Sequence, residues 1–420
     1  MKYKDIIHYL EKQTKSHDVD YIKKALLVME LEINPSKVIV VAGTNGKGST
    51  SATLQTLLMT AEKNVGFFSS PHLIKINERI KFNGENISDE IFCNIFLLVH
   101  KKIKDLNLSY FEYLTIMAVY YFFECHKNEI DYAIFEAGLG GACDASNAIP
   151  HNTSVITKLG FDHELLLGNA LIEIAKNKLG IIQPYNNVFH AKFSNEISEL
   201  SKEYMKKLHC NFIESYQYVL KIDTSAKYPV FKINTKFGDF QINLPGTRGA
   251  ENTALAVTIF HNLINGTGPT DSVGKFLSAL RYVDWPGRME KFTYKDKDIF
   301  FSGDHNPQGV ESLVEILNYY KFEKIHFVVG VCHDKNHKQM LEKLVSVKNS
   351  HLYLTETPIR TLLLTDYDAE FQKLATYMSK NPTEAMRVAM SKSTENDLVV
   401  VTGSLYLVGY IKQIFAKNRL

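Results

Sequence analysis

The chain has 420 residues, 45% hydrophobic and 22% charged, the balance of an ordinary globular protein too long for one core. A formal net charge of +2, with Lys and Arg scattered rather than clustered, argues against a nucleic-acid partner. Five cysteines (Cys93, Cys125, Cys143, Cys210, Cys332), an odd number without a close pair, argue against a disulfide framework or a Cys-based zinc site and fit a reducing cytoplasm.

The opening stretch, MKYKDIIHYLEK, has charges where a signal peptide needs an apolar core. Short amphipathic helices are expected over Tyr3–Tyr9 and Tyr21–Leu31, and Asn34-Pro35 breaks the pattern before the first strand. Val38–Thr50 reads VIVVAGTNGKGST. An apolar, mostly β-branched run enters a loop with Gly43, Gly46 and Gly48, and an apolar-periodic helix follows. Val65–Ser69 is expected as a second strand, Glu78–Asn83 as a short strand and turn, and Ser88–Lys104 as a capped helix. The longest apolar run, Tyr113–Phe123, is too short to cross a bilayer. It predicts a buried helix over Phe111–Cys125, and no membrane partner is expected.

Strands are then expected over Tyr132–Glu136, Ser154–Lys158 and Asn187–His190, with a helix over Leu171–Leu179. Phe212–Leu244 alternates and predicts a β-rich flap. Helices over Asn252–Leu263 and Val273–Leu280 lead to a turn-rich boundary, Asp284–Arg288. Beyond Glu290 the strands Ile299–Ser302, Ile325–Gly330, His351–Thr355 and Leu398–Gly403 are expected. The helices there are Gly309–Tyr320, Lys338–Val345, Asp366–Tyr377, Pro382–Ser391 and Leu405–Phe415. The alternation predicts an α/β protein: a doubly wound P-loop ATPase domain over 1–286, then a smaller Rossmann-like α/β domain over 290–420.

Ligands of such sheets sit at the carboxyl ends of the strands. The glycine loop, Ser69/Ser70, Glu136 and His163 lie there. A glycine loop that opens a helix can wrap a polyphosphate with its N–H groups, the helix terminus adds positive potential, and Lys47 adds a full charge. Gly48 separates Lys47 from the hydroxyl pair Ser49/Thr50, unlike the common GxxxxGK[ST] spacing.

The chain also carries SSPHL (Ser69–Leu73), ERIKFNG (Glu78–Gly84), YFEYLT (Tyr110–Thr115) and EAGLGG with DASN (Glu136–Gly141, Asp144–Asn147). DHELLLG (Asp162–Gly168), KLGII (Lys178–Ile182), PGRME (Pro286–Glu290), HNP (His305–Pro307), HDK (His333–Lys335) and GSLYLVG (Gly403–Gly409) follow. Together with AGTNGKGST (Ala42–Thr50), and in this order, they resemble the folylpolyglutamate synthase/dihydrofolate synthase family of Mur-type ATP-dependent ligases.

The resemblance implies that ATP phosphorylates a pterin-linked carboxylate and that the amine of L-glutamate attacks the acyl phosphate. It implies a phosphate cradle of Asn45, Gly46, Lys47, Gly48, Ser49 and Thr50, with Asn252 at the adenine, Arg288 on phosphate, and Ser302 and Asp304 also at the ATP. Two Mg2+ ions are implied, held by Ser49, Ser70, Glu136, His163 and a carbamylated Lys178. Lys47, Lys178, Arg288 and His305 are the implied catalytic set, His305 reaching the phosphates on domain closure. Ser109, Tyr110, Phe111, Glu112, Cys143, Asp144 and Ala145 are the implied pterin contacts. The family precedent is a cytoplasmic monomer whose partners are small molecules: ATP, glutamate, and dihydropteroate or a reduced folate.

Three departures stand out. Arg248-Gly249 occupies the place of a usual His-Gln pair. Ser302 stands where the family has Asp, and Asp304 where it has a small residue, so either Asp304 takes over the carboxylate's task or ATP contact from this side is weaker. Ala142-Cys143 replaces a common Arg. The other readings are a Mur ligase on a UDP-linked precursor, a P-loop kinase or NTPase without ligation, and a ligase-like nucleotide-binding protein without catalysis. SSPHL and YFEYLT speak against the first. The second leaves Glu136, His163, Lys178 and the C-terminal domain unexplained. Retention of Lys47, Glu136, His163 and Lys178 opposes the third.

Overall fold

The computed structural model describes residues 2–264 and 273–417. The chain forms two compact units. The first takes in Met1–Gly160, Glu164–Gln217 and Glu251–Leu280; the second takes in Phe161–His163, Tyr218–Ala250 and Arg281–Leu420.

The first unit is built on eight strands: β1 (Val38–Ala42), β2 (Val65–Phe68), β3 (Ile80–Phe82), β4 (Glu85–Asn86), β5 (Tyr132–Glu136), β6 (Thr153–Ile156), β7 (Asn187–His190) and β8 (Asn211–Glu214). Their order is β4-β3-β2-β5-β1-β6-β7-β8. From β2 to β8 neighbouring strands run parallel, and β3 and β4 close one edge antiparallel. Every residue of β1 is buried, as expected of a parallel strand covered on both faces, and this is why VIVVA carries no polar alternation. Phe68, Phe122 and Phe135, all fully buried, pack edge-on or tilted beneath the centre of the sheet. The chain passes from β1 to β2 on one side and from β5 to β6 on the other. The order therefore reverses at β1, where such sheets leave a crevice at the carboxyl edge.

In the second unit β9 (Val219–Asp223), β10 (Val230–Thr235) and β11 (Gly238–Ile242) form a separate antiparallel sheet. The remaining strands are β12 (Arg288–Tyr294), β13 (Lys297–Ser302), β14 (Ile325–Val329), β15 (Ser350–Thr355), β16 (Ala375–Ser379) and β17 (Leu398–Thr402). Their order is β12-β13-β17-β14-β15-β16, parallel except for the β12–β13 hairpin.

Several expectations change. The stretch expected as one β-rich flap of the first domain divides. Asn211–Glu214 extends the large sheet as β8, whereas Tyr218–Ala250 groups with the second unit, so the division does not fall at residue 286. The helix expected over Asp366–Tyr377 ends at Leu374, and Ala375–Ser379 is strand β16, whose Tyr377 pairs with Tyr353 of β15. The half-exposed edge position gave this strand no clear alternation. The helix Asn195–Lys207 was not anticipated; it buries only Ile197, Ser201 and Met205, a thin stripe four residues apart. No helix among the described residues is long and apolar enough to cross a membrane.

Candidate active site

At the carboxyl edge of the first sheet, β1 runs out into the glycine loop and the helix Lys47–Thr60 begins. The N–H groups of Thr44 and Asn45 donate to the Lys158 carbonyl (2.9 and 3.2 Å), and Thr44 Oγ1 donates to Gly160 O (2.9 Å). The loop is thereby fastened to the chain leaving β6. Gly46 is the N-cap, at φ +93, and no side chain caps the helix among the described residues. The first amides of the helix have no carbonyl in a preceding turn, which leaves a positive end facing the crevice.

Two lysines meet at this loop. Lys47 Nζ donates to Gly43 O (3.2 Å), and Lys178 Nζ donates to the same oxygen (3.0 Å). Lys178 lies in the last turn of the helix Leu171–Leu179 and is only 4% exposed. Two ammonium groups on one carbonyl repel each other at short range.

Glu136 is the last residue of β5 and pairs in register with Val41 of β1. It is 4% exposed, and its Oε2 accepts from the Ser70 N–H (3.1 Å) at the end of β2. Ser49 and Thr50 are buried in the first turn of the loop helix, and Thr50 Oγ1 has no hydrogen-bond partner among the described residues. Hydroxyls and one buried carboxylate are hard oxygen donors, the set Mg2+ takes alongside phosphate and water. The structure thus brings Ser70 to Glu136 and Lys47 to Lys178. Asn252 also meets the loop: a Cβ on Gly46 would strike its Oδ1.

The pterin candidates separate into two kinds. Glu112 is buried and fully engaged. Its Oε2 accepts from Ser109 N–H (2.8 Å) and lies 2.9 Å from His17 Nδ1, and its Oε1 accepts from His17 N–H (2.7 Å). Asp144 is buried and accepts from Leu139 N–H, Ser146 N–H and Ser146 Oγ (2.9, 3.0 and 2.6 Å). Burial raises its carboxyl above the ordinary value although these bonds favour the anion. Ser109 caps the helix Tyr110–Tyr120, and Ala145 is buried. These four are buried. Tyr110, Phe111 and Cys143 are the accessible ones: Phe111 packs on Phe68 and against Gly138, and Cys143 is exposed.

A contact absent from sequence reasoning lies beside Tyr110. Arg79 Nε donates to His72 Nδ1 (2.9 Å), and its guanidinium stands 5.4 Å from the Tyr110 ring centre. Burial, and next the charge of Arg79, push His72 down to about 3, so its ring stays a neutral acceptor. Both residues sit inside SSPHL and ERIKFNG, but their pairing needs the β2–β3 hairpin.

In the second unit, Asp162 is the centre of a charged cluster. Lys335 Nζ donates to its Oδ1 (2.6 Å), Asn306 Nδ2 donates to its Oδ2 (3.2 Å), and His305 Nε2 lies 3.5 Å from Oδ2. Burial alone would raise this carboxyl, but His305, Lys335 and His163 hold it well below the usual carboxylate range. His163, at φ +53, lies 3.9 Å from Asp334, which Arg360 also binds at 3.0 Å. Burial pushes His163 down to about 4, with Asp162 pulling the other way, so the ring keeps a lone pair at neutral pH. Asp162 and Lys335 carried no role in the sequence reading; their signal was the pair of motifs DH and HDK.

Arg288 opens β12 opposite Ser302, with Nη1 donating to Gly303 O (3.2 Å). Ser302 and Asp304 are both buried, and Ser302 Oγ donates to Asp304 Oδ2 (2.5 Å).

Phosphate loops serve kinases and simple NTPases as well. Neither needs a second lysine held against the loop, or a further parallel α/β unit with a charged cluster of its own. Both features belong to ATP-dependent acid–amino-acid ligases, and that is the class this fold and site define. Residues 287–405 match the family model of the Mur ligase glutamate ligase domain. The chain is 32% identical over 387 residues to the dihydrofolate synthase/folylpolyglutamate synthase of Bacillus subtilis (strain 168), covering 89% of each chain. It is 25% identical over 435 residues to the folylpolyglutamate synthase of Lacticaseibacillus casei, covering 98% of each. Its fold matches that of Mycobacterium tuberculosis folylpolyglutamate synthase complexed with ADP, at a TM-score of 0.87, 23% identity and 98% of each chain. The chain belongs to the dihydrofolate synthase/folylpolyglutamate synthase family.

Proposed function

We propose that this chain joins L-glutamate to a pterin-linked carboxylate, that of 7,8-dihydropteroate, of a reduced folate, or of both, with cleavage of ATP to ADP and phosphate. The observation that carries the reading is the glycine loop whose Gly43 carbonyl holds both Lys47 and a buried Lys178, with Glu136 at the neighbouring strand end. A carboxylate is a poor electrophile. Transfer of the γ-phosphoryl group to its oxygen makes an acyl phosphate, the glutamate amine attacks the carbonyl carbon, and the C–O bond to phosphate breaks as the amine loses its proton.

The residues supply charge and position. Lys47 and the residues of the loop Asn45–Thr50 line the β- and γ-phosphates, Asn252 meets the adenine and Arg288 a phosphate. Ser49, Ser70 and Glu136 are of the donor type Mg2+ takes, and the ion when bound would neutralise charge on the phosphates; His163 is a further candidate ligand. Tyr110, Phe111 and Cys143 face the pterin part, on the wall that Ser109, Glu112, Asp144 and Ala145 shape. The test is phosphate release by the purified protein with ATP, glutamate and either 7,8-dihydropteroate or tetrahydrofolate. Release with at least one is expected, and which one settles the acceptor; release with neither would sink the ligase reading.

Lys178 acts as a carbamate. Carbon dioxide adds to its amine with loss of a proton, replacing one of two crowded cations by an anion able to share a second Mg2+. Lys178→Ala is expected to lose activity, and bicarbonate, which should stimulate the CO2-depleted parent enzyme, should no longer affect the rate. Near-normal turnover of the variant would remove the carbamate.

A further inference from the structure

The departures at Arg248, Ser302 and Asp304 meet in space. Arg248 lies in the first turn of the helix Gly246–Ile264 and grips Asp304 with both terminal nitrogens: Nη1 on Oδ1, and Nη2 on Oδ2 at 3.0 Å. Nη1 also donates to Gly309 O (3.3 Å), inside the helix Pro307–Leu317. Asp304 Oδ2 takes a second bond, from Ser302 Oγ. Both carboxylate oxygens are therefore engaged by protein donors, and the group is buried. Burial alone would raise its pKa, but Arg248 holds it below the ordinary value, so it is an anion matched to a cation.

The same carboxylate sits in the loop that delivers His305. Its backbone oxygen accepts from Gly403 N–H (3.0 Å), His305 Nδ1 lies 2.9 Å from Gly303 O, and Asn306 caps the helix behind with Oδ1 accepting from Gly309 N–H (2.8 Å). Gly309, whose carbonyl Arg248 also holds, would press a Cβ to 3.0 Å from Asp304 Oδ1. Close packing also accounts for Gly249: a Cβ there would strike the Leu244 carbonyl, leaving no room for a glutamine. The helix start is anchored a second time, Thr247 Oγ1 donating to Glu315 Oε1 (2.6 Å).

We propose that Arg248 is a positioning residue for the ligase: clamped to Asp304, it holds the loop Gly303–Asn306 so that the ring of His305 keeps one orientation. Asp304 thus serves the loop and not the nucleotide. The inference rests on the ligase reading for its kinetic part only.

The variants are Arg248→Met, Asp304→Asn, which keeps the shape, and the double variant. Each single variant is expected to lower kcat about tenfold with the KM for ATP changed less than about threefold, and the double to lose no more than the worse single. A tenfold rise in the KM for ATP with kcat intact would mean that Asp304 contacts nucleotide and would overturn the proposal. So would a lowered melting temperature with unchanged kcat, or losses that multiply in the double. A second readout needs no turnover. In protein with isotopically labelled histidine, the His305 ring resonance, assigned by its loss in His305→Gln, should shift or broaden in both single variants. An unmoved resonance overturns the clamp even if the ligase reading stands, and a moved one supports it even if that reading falls.

Discussion

Lys47→Met is expected to reduce ATP-dependent glutamate ligation by roughly a thousandfold, the scale of removing a preorganised charge from a phosphoryl-transfer site. The fold should hardly notice. Lys47 is half-exposed, and its ammonium donates to Gly43 O, an oxygen that Lys178 also serves. One half-exposed side-chain bond is lost, so the unfolding free energy should change by less than about 1 kcal/mol. Lys47→Arg keeps the charge but replaces a compact ammonium by a planar fork, so it should recover only part of the rate. Product formation in single turnover, set against urea unfolding of the same protein, checks both halves. A variant that keeps more than about a tenth of the parent rate would contradict a role for Lys47 in phosphoryl transfer.

The parts of this site visible in the sequence share one physical basis. A buried parallel strand has to be apolar along nearly its whole length, so Val38–Ala42 and Tyr132–Glu136 announce themselves, and the glycine loop after the first and Glu136 at the end of the second mark the carboxyl edge. Register then does the rest: Val41 lies opposite Glu136 and Ala42 opposite Ile156, so the ends of three strands line up without further information. What stayed hidden depends on contacts between distant segments. Edge strand β16 has half-exposed residues and takes its strand form from pairing with β15, which no local pattern records. Glu112 and Asp144 look like ligand contacts in a motif string, yet their oxygens are taken up by His17, Ser109, Leu139 and Ser146. The Asp162–Lys335 pair joins residues 173 apart, and the Arg248–Asp304 pair residues 56 apart. Each half of these pairs read alone as a departure or a motif letter.

Gly46 is the position where backbone and side-chain demands meet, and Gly46→Ala is expected to show both. At φ +93 an L-residue is strained, by about 1–3 kcal/mol on the general scale of such conformations. A Cβ there would also fall well inside contact with Asn252 Oδ1, and Asn252 is nearly buried on the helix Gly246–Ile264. The substitution should therefore lower stability and push Asn252 aside, raising the KM for ATP because Asn252 is the proposed adenine contact. The double variant Gly46→Ala/Asn252→Gly separates the two terms. It removes the collision and keeps the φ strain, so stability should return in part while the KM for ATP stays high. Thermal unfolding and ATP titration of the two variants decide it. If Gly46→Ala unfolds and binds ATP like the parent, the tight approach of loop and helix does not govern the cradle. If the double variant recovers ATP affinity, Asn252 was an obstacle and not a contact.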